Sequence, residues 1–206
     1  MKWPLSFISQ TDFENHALDT IKNYGKKLES YDVKKFNSNI IDPIKLVFDK
    51  SVYGLTWEEI IKSEVFRQRD KSTNNDIGYF HQNIFKHIRN CEVPQTGWDV
   101  IFVPPAPINI GDNQIVSRIF VEMKNKHNTM NSSSGAKTYI EMQSRLLEDD
   151  DCACFLVEAI AKKSQNITWA VSVSGKSQKH KRIRRVSMDQ FLDWSLGKRM
   201  PFIRCV

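Results

Sequence analysis

The chain has 206 residues, 40% of them hydrophobic, enough for one sizeable core and too few for several independent domains. No stretch approaches the roughly 18 consecutive apolar residues that span a bilayer, and Met1–Gln10 lacks the apolar block of a secretory signal, so no membrane role is expected and the cytoplasm is. The net charge is +6 from 30 basic and 24 acidic residues, and Lys176, Lys179, Lys181, Arg182, Arg184 and Arg185, with no acid among them, equal that whole excess. Such a run is either a solvated charged loop or the footprint of a polyanionic partner.

The chain reads as one domain, 1–206, with a helical part over 1–90 and an αβ part over 91–206. Thr11-Asp12-Phe13-Glu14 has the form of a capping box, and Phe13, Ala17, Leu18, Ile21 and Tyr24 follow at helical spacing up to Gly25. Pro43 to Val52 predicts a shorter helix. Thr56-Trp57-Glu58-Glu59 repeats the capping signal before Ile60, Ile61 and Val65. Lys71 to Asp76 is polar and reads as a loop, after which Ile77, Phe80, Ile84 and Ile88 form one helical stripe.

Beyond Asn90 the period changes. Trp98 to Val103 reads as a strand, and Val116 to Met123 as a second, with Val116, Arg118, Phe120 and Glu122 on one face; turn-forming residues between them predict a hairpin. Ser132 to Gly135 reads as a polar loop, Ala136 to Glu148 as a helix, Cys154 to Ala161 and Ile167 to Val173 as strands. Ser187 caps a last helix that stops near Gly197. The order predicts an α/β (α+β mixed) fold, a mixed sheet flanked by helices. Cys91, Cys152, Cys154 and Cys205 are expected to be reduced, since neither export nor zinc-finger spacing is present. Trp57, Trp98, Trp169 and Trp194 are expected in the core.

Alternation sends Glu122 and Lys124 to one face at a strand end, and Asp99 sits in the partner strand of the hairpin. Paired strands would let two carboxylates converge on one hard cation with an ammonium beside it. Mg²⁺ takes oxygen ligands and keeps several waters, so two carboxylates and a substrate phosphate oxygen suit it. The lysine can orient the attacking water and offset charge on the phosphorane. Asp32-Val33-Lys34 matches the same acid-x-lysine pattern, but it follows a helix and no strand bearing an acid precedes it.

This arrangement resembles the PD-(D/E)XK nuclease superfamily, with Trp98 where a proline commonly precedes the aspartate. The segments Ile77–Gln82, Gly97–Asp99, Val121–Asn128, Asn131–Lys137 and Arg184–Phe191 are similar to type II restriction endonucleases of the SinI and AvaII kind. The resemblance implies a restriction-endonuclease-like core, cleavage of double-stranded DNA at a GGNCC or GGWCC type of site, and a companion DNA methyltransferase. A palindromic site is matched most economically by a two-fold homodimer. On this reading Asp99 and Glu122 hold Mg²⁺ and Lys124 assists the water. Lys126, Asn128, Ser132, Ser133, Ser134 and Lys137 are expected to contact DNA, as are Lys176, Lys179 and Lys181 at phosphates. Arg182, Arg184 and Arg185 are candidates for reading guanine. Glu64, His81, Gln82, Glu141 and Gln143 either supplement the metal site or serve as ordinary structural and surface residues. A repair nuclease on the same core and an inactive DNA-binding module are the competing readings.

Overall fold

A computed structural model describes residues 3–29 and 33–197; Asp32 and Cys205 lie outside them. The described residues fall into two compact units, one drawn from Met1–Gln10 with His81–Val206 and the other from Thr11–Phe80.

Four helices, α1 (Gln10–Glu29), α2 (Val33–Asn37), α3 (Pro43–Tyr53) and α4 (Trp57–Asn83), account for the regular structure of the front half. Asp42 caps α3 by accepting from the Ile44 and Lys45 amides, and Gly54 closes it in the left-handed conformation. The capping box before α4 forms: the Thr56 amide and hydroxyl both donate to Glu59 Oε2 at 2.8 Å, and the Glu59 amide donates to Thr56 Oγ1. Several expectations fail here. Helix α1 continues through Gly25, where an interior glycine costs only about 1 kcal/mol against alanine. Lys71 to Asp76 is helix, because it contains neither proline nor glycine and Thr73 bonds back to the Arg69 and Asp70 carbonyls. Trp57 is half exposed, with the Lys50 ammonium 5.6 Å from its ring, and is not a core residue.

The other unit is built on a six-stranded sheet. After a 3₁₀ turn at Ile84–His87 come β1 (Cys91–Glu92), β2 (Val100–Phe102), β3 (Ile108–Asn109), β4 (Ile115–Val116) and β5 (Arg118–Lys126). Helix α5 (Ser132–Glu148), β6 (Cys152–Ile160), β7 (Asn166–Val173), β8 (Lys176–Ser187) and α6 (Met188–Leu196) complete it. The strand order is β1-β2-β5-β6-β8-β7, with β5, β6 and β8 parallel and the rest antiparallel; β3 and β4 form a separate ribbon. Of the expected Ile77–Ile88 stripe, Ile88 is buried and Ile84 packs on the core, but the 3₁₀ turn also buries Phe85, which is not part of it, and Ile77 is exposed.

The predicted hairpin exists, pairing Val100 with Val121 and Phe102 with Ile119. The predicted second strand is broken at Ser117, whose amide turns to the Asp151 carbonyl, and Val116 therefore packs on the opposite side from Phe120. Ser132–Gly135 is the first turn of α5, not a loop, because Asn131 caps it through the Ser134 amide at 2.8 Å. The basic run is a strand, β8, held by its ladders to β6 and β7. Ser187 stands at the cap position of α6, but its hydroxyl accepts from the Gln165 amide instead.

Each face of the sheet carries a core. On one, Phe191 of α6 packs with Phe85, Phe102, Val121 and Phe155. On the other, Tyr139, Met142 and Leu146 of α5 cover Phe120, Cys154, Leu156, Trp169 and Ile183. Because Phe120, Glu122 and Lys124 alternate onto the same side, the acid-x-lysine pair lies on the α5 face. The connection from β5 through α5 to β6 returns the N-terminus of α5 to the carboxyl ends of the parallel strands, where such sheets place their ligand sites. Cys91, Cys152 and Cys154 are free thiols, and burial pushes Cys91 up to about 12.

Candidate active site

Asp99 stands one residue before β2, and its amide donates to the Val121 carbonyl at 3.0 Å. Its Oδ2 accepts the Met123 amide at 2.7 Å, so the carboxylate is fixed against the backbone between Glu122 and Lys124. The Gln82 side-chain amide donates to the Asp99 carbonyl at 3.1 Å, which makes Gln82 a support of this corner. Lys124 Nζ donates to Glu122 Oε1 at 2.7 Å, with side chains 28% and 25% exposed. All three groups are thus within reach of solvent and of one another.

Burial raises the Asp99 carboxyl above its usual range; the Met123 amide opposes this, the Glu122 charge reinforces it and the Lys124 charge opposes it. A carboxyl raised on folding contributes stability that is complete below the unfolded value and is lost as pH rises through the folded one. Asp99→Asn is therefore expected to melt higher than the parent at neutral pH in metal-free buffer. The difference should close as pH falls through the aspartate range. A constant offset across pH would show that Asp99 is not strained by its charge.

The donor set fits Mg²⁺. Asp99 Oδ1 and Glu122 Oε2 are left for a cation, and no cluster of three or more His, Cys, Asp or Glu residues suited to a metal occurs among the described residues. Two hard carboxylate oxygens are donors that an ion keeping waters and taking substrate oxygens would accept.

Two cavities flank the pair. One, of about 330 Å³, is lined by Lys124, Asn128, Asn131, Ser132, Glu158 and Arg185, with Trp169 as an aromatic wall. The other, of about 430 Å³, is lined by Trp98, Glu122 and Glu141. The structure thus gathers Asn128, Ser132 and Arg185 around Lys124, and brings Glu141 to the Glu122 side. Lys126 is exposed at the end of β5, Ser133 is exposed in the first turn of α5, and Ser134 is engaged in its cap. Lys137 is exposed, 3.9 Å from Glu141, and Gln143 lines neither cavity. Lys176 and Lys179 pair across β7 with Val173 and Ala170, next to Val171 and Ser172 of the cavity wall; Lys181 is exposed further along β8.

The three arginines separate. Arg182 donates to the Asp150 and Cys152 carbonyls. Arg184 is 3% exposed and fully committed, with Nη1 2.8 Å from Asp112 Oδ2, Nε bonded to Asn166 Oδ1 and Nη2 to the Asn166 carbonyl. A side chain on Gly111 would meet its guanidinium at 3.0 Å, so the glycine makes room for it. The expected base readout finds no support at Arg184. Arg184→Ala should lower the melting temperature by several degrees and leave the salt dependence of DNA binding unchanged; a shallower salt slope would place Arg184 at phosphate after all.

Within its own unit, Glu64 is buried and both oxygens are taken, by Arg67 Nε at 2.7 Å and by Gln68 Nε2 at 2.9 Å, and Arg67 holds its pKa down. His81 is half-buried, and that burial lowers its pKa. Sequence reasoning missed Glu158. Glu158 is the single charge in the otherwise apolar run Cys154–Ala161, which was the available signal.

A mixed sheet flanked by helices, with an aspartate just before one strand and an acid-x-lysine pair on its neighbour, is the arrangement of a restriction-endonuclease-like protein. Comparison with known proteins agrees: the family model described as Eco47II restriction endonuclease matches residues 5–205, and the chain belongs to that family. It is 28% identical over 206 residues to the type II restriction enzyme Sau96I of Staphylococcus aureus, covering 96% of this chain and 75% of that one. It is 30% identical over 135 residues to the type II restriction enzyme Eco47II of Escherichia coli, covering 66% of this chain and 52% of that one. No solved structure matches it. The protein is accordingly a type II restriction endonuclease, a site-specific deoxyribonuclease of double-stranded DNA. Among the described residues no helix is long and apolar enough to cross a membrane.

Proposed function

We propose that this restriction endonuclease is Mg²⁺-dependent, uses Asp99, Glu122 and Lys124 to hydrolyse phosphodiester bonds, and recognises a short interrupted palindrome of the GGNCC type as a homodimer. The observation that carries the chemistry is the convergence of the three side chains at the carboxyl end of β5, with Asp99 locked onto the Met123 amide. Asp99 and Glu122 would hold the ion, which when bound polarises the phosphate and acidifies water. Lys124, on the same face, orients the attacking water and offsets charge on the phosphorane. One water oxygen bonds to phosphorus as a P–O ester bond breaks, and the leaving oxygen takes up a proton.

Lys124, Asn128, Ser132 and Arg185 around the smaller cavity, with Lys126, Ser133, Lys137 and the exposed Lys176, Lys179 and Lys181, supply the positive and hydrogen-bonding surface for DNA. The palindrome and the two-fold dimer rest on the resemblance to enzymes of the SinI and AvaII kind, as does a companion methyltransferase. The test is a plasmid digest with Mg²⁺ and with EDTA, followed by sequencing of the ends. Discrete fragments ending in one interrupted palindrome, formed only with Mg²⁺, are expected. A smear or branch-only cleavage would favour a repair nuclease, and metal-independent bands would remove the ion from the mechanism.

A further inference from the structure

The carboxyl ends of β5, β6 and β8 form a grid of side chains on the α5 face. Glu122, Leu156 and Arg185 occupy one row in register, and Lys124 and Glu158 are neighbours in the next. At about 4.8 Å per strand, Arg185 lies about 10 Å across the sheet from Glu122. Glu158 is 1% exposed, a charge that burial would make costly without a partner. Its partner is Arg185, whose Nε donates to Glu158 Oε1 at 2.9 Å and whose Nη2 bonds the same oxygen. Nη2 also lies 2.8 Å from His127 Nδ1, which is 3.1 Å from Glu158 Oε2. That ring nitrogen can accept from the guanidinium in one neutral tautomer of the ring and donate to the carboxylate in the other.

An arginine present only to neutralise Glu158 would be expected to bury its whole head. Here the side chain is 22% exposed and lines the cavity beside Lys124, and among the described residues Nη1 makes no hydrogen bond. We propose that Arg185 binds a DNA phosphate beside the scissile one, and that Glu158 and His127 are positioning residues that hold its guanidinium edge-on. The proposal rests on the nuclease reading above. It also separates phosphate binding from base reading. Guanine readout needs two adjacent nitrogens of the fork. Nε is spent on Glu158 and Nη2 on Glu158 and His127, so only the two N–H groups of Nη1 remain, which suit phosphate oxygens.

Arg185→Ala alone would strand the buried carboxylate, so the informative variants are Glu158→Gln and the double variant Arg185→Ala with Glu158→Gln. Two readouts apply: duplex affinity without divalent cation over a range of salt, and single-turnover cleavage with Mg²⁺. Glu158→Gln should melt close to the parent and cleave roughly tenfold more slowly. The double variant should cleave roughly a hundredfold more slowly, with a log K against log salt slope shallower by about 0.9, one phosphate. If the double variant does not fold, Arg185→Lys replaces it. Its ammonium can neutralise Glu158 but cannot also reach the phosphate, so the same loss of slope is expected. An unchanged slope, or Glu158→Gln cleaving at the parent rate, overturns the proposal. Failure of the parent to cut any duplex would sink the nuclease reading instead, and the salt slopes would still decide the role of Arg185.

Discussion

Lys124→Ala is expected to slow cleavage on the order of a thousandfold while leaving duplex affinity in metal-free buffer within about tenfold of the parent. Among the described residues the lysine ammonium bonds only Glu122, and both side chains are about a quarter exposed. Its removal therefore costs little stability, and the loss falls on charge that appears only as the phosphorane forms. Glu122→Ala should be equally slow yet bind duplex at least as tightly, because it deletes a negative charge that faces the phosphates. The two variants thus diverge in affinity and agree in rate. Cleavage under single-turnover conditions, beside equilibrium binding in EDTA, tests this. Equal losses of affinity and rate for Lys124→Ala would make it a binding residue.

The parts of this site legible in the sequence are those whose spacing carries the information. Alternation over Phe120, Glu122 and Lys124 fixes their common face whatever packs around them, and the turn residues between Val103 and Val116 imply the hairpin that brings Asp99 alongside. The strand β8 was not legible, because Lys176 to Arg182 contains no apolar residue to alternate. That stretch is a strand by virtue of hydrogen bonds to β7, a tertiary cause that no local pattern records. The helical reading failed at Lys71 to Asp76 for a related reason, since polarity was taken as a break where nothing sterically breaks the helix. At Ser132–Gly135 the same small polar residues that make loops make the first turn of a capped helix.

The arginines show the limit of composition most clearly. Arg182, Arg184 and Arg185 are near neighbours in one basic run, and a count of charge treats them alike. Strand alternation sends Arg184 and Arg185 to opposite faces, one buried against Asn166 and paired with the half-exposed Asp112, the other toward the cavity beside Lys124. Arg182 spends its guanidinium on the carbonyls of the turn after α5. Net charge singles out a basic segment, and only register says which of its charges are already committed within the protein.

Phe191→Ala should destabilise the sheet unit by about 3–5 kcal/mol, the range for truncating a fully buried aromatic. Phe191 is wholly inaccessible, and its ring meets Phe85 at 5.2 Å, Phe102 at 6.1 Å and Phe155 at 6.4 Å between centroids. It pins α6 to β2 and β6, on the side of the sheet away from Lys124, so the variant separates stability from chemistry. The surrounding rings are held by the strands and the 3₁₀ turn and cannot collapse into the space, which puts the loss toward the upper end. A fall in melting temperature of about 10 °C is expected for a chain of this size. Below its own transition the variant should still cleave at close to the parent rate, since β5 carries Glu122 and Lys124 on the α5 face. A variant that melts with the parent would mean that α6 contributes no packing energy to this face. One that melts early and is also inactive while still folded would show that the two faces of the sheet are mechanically coupled.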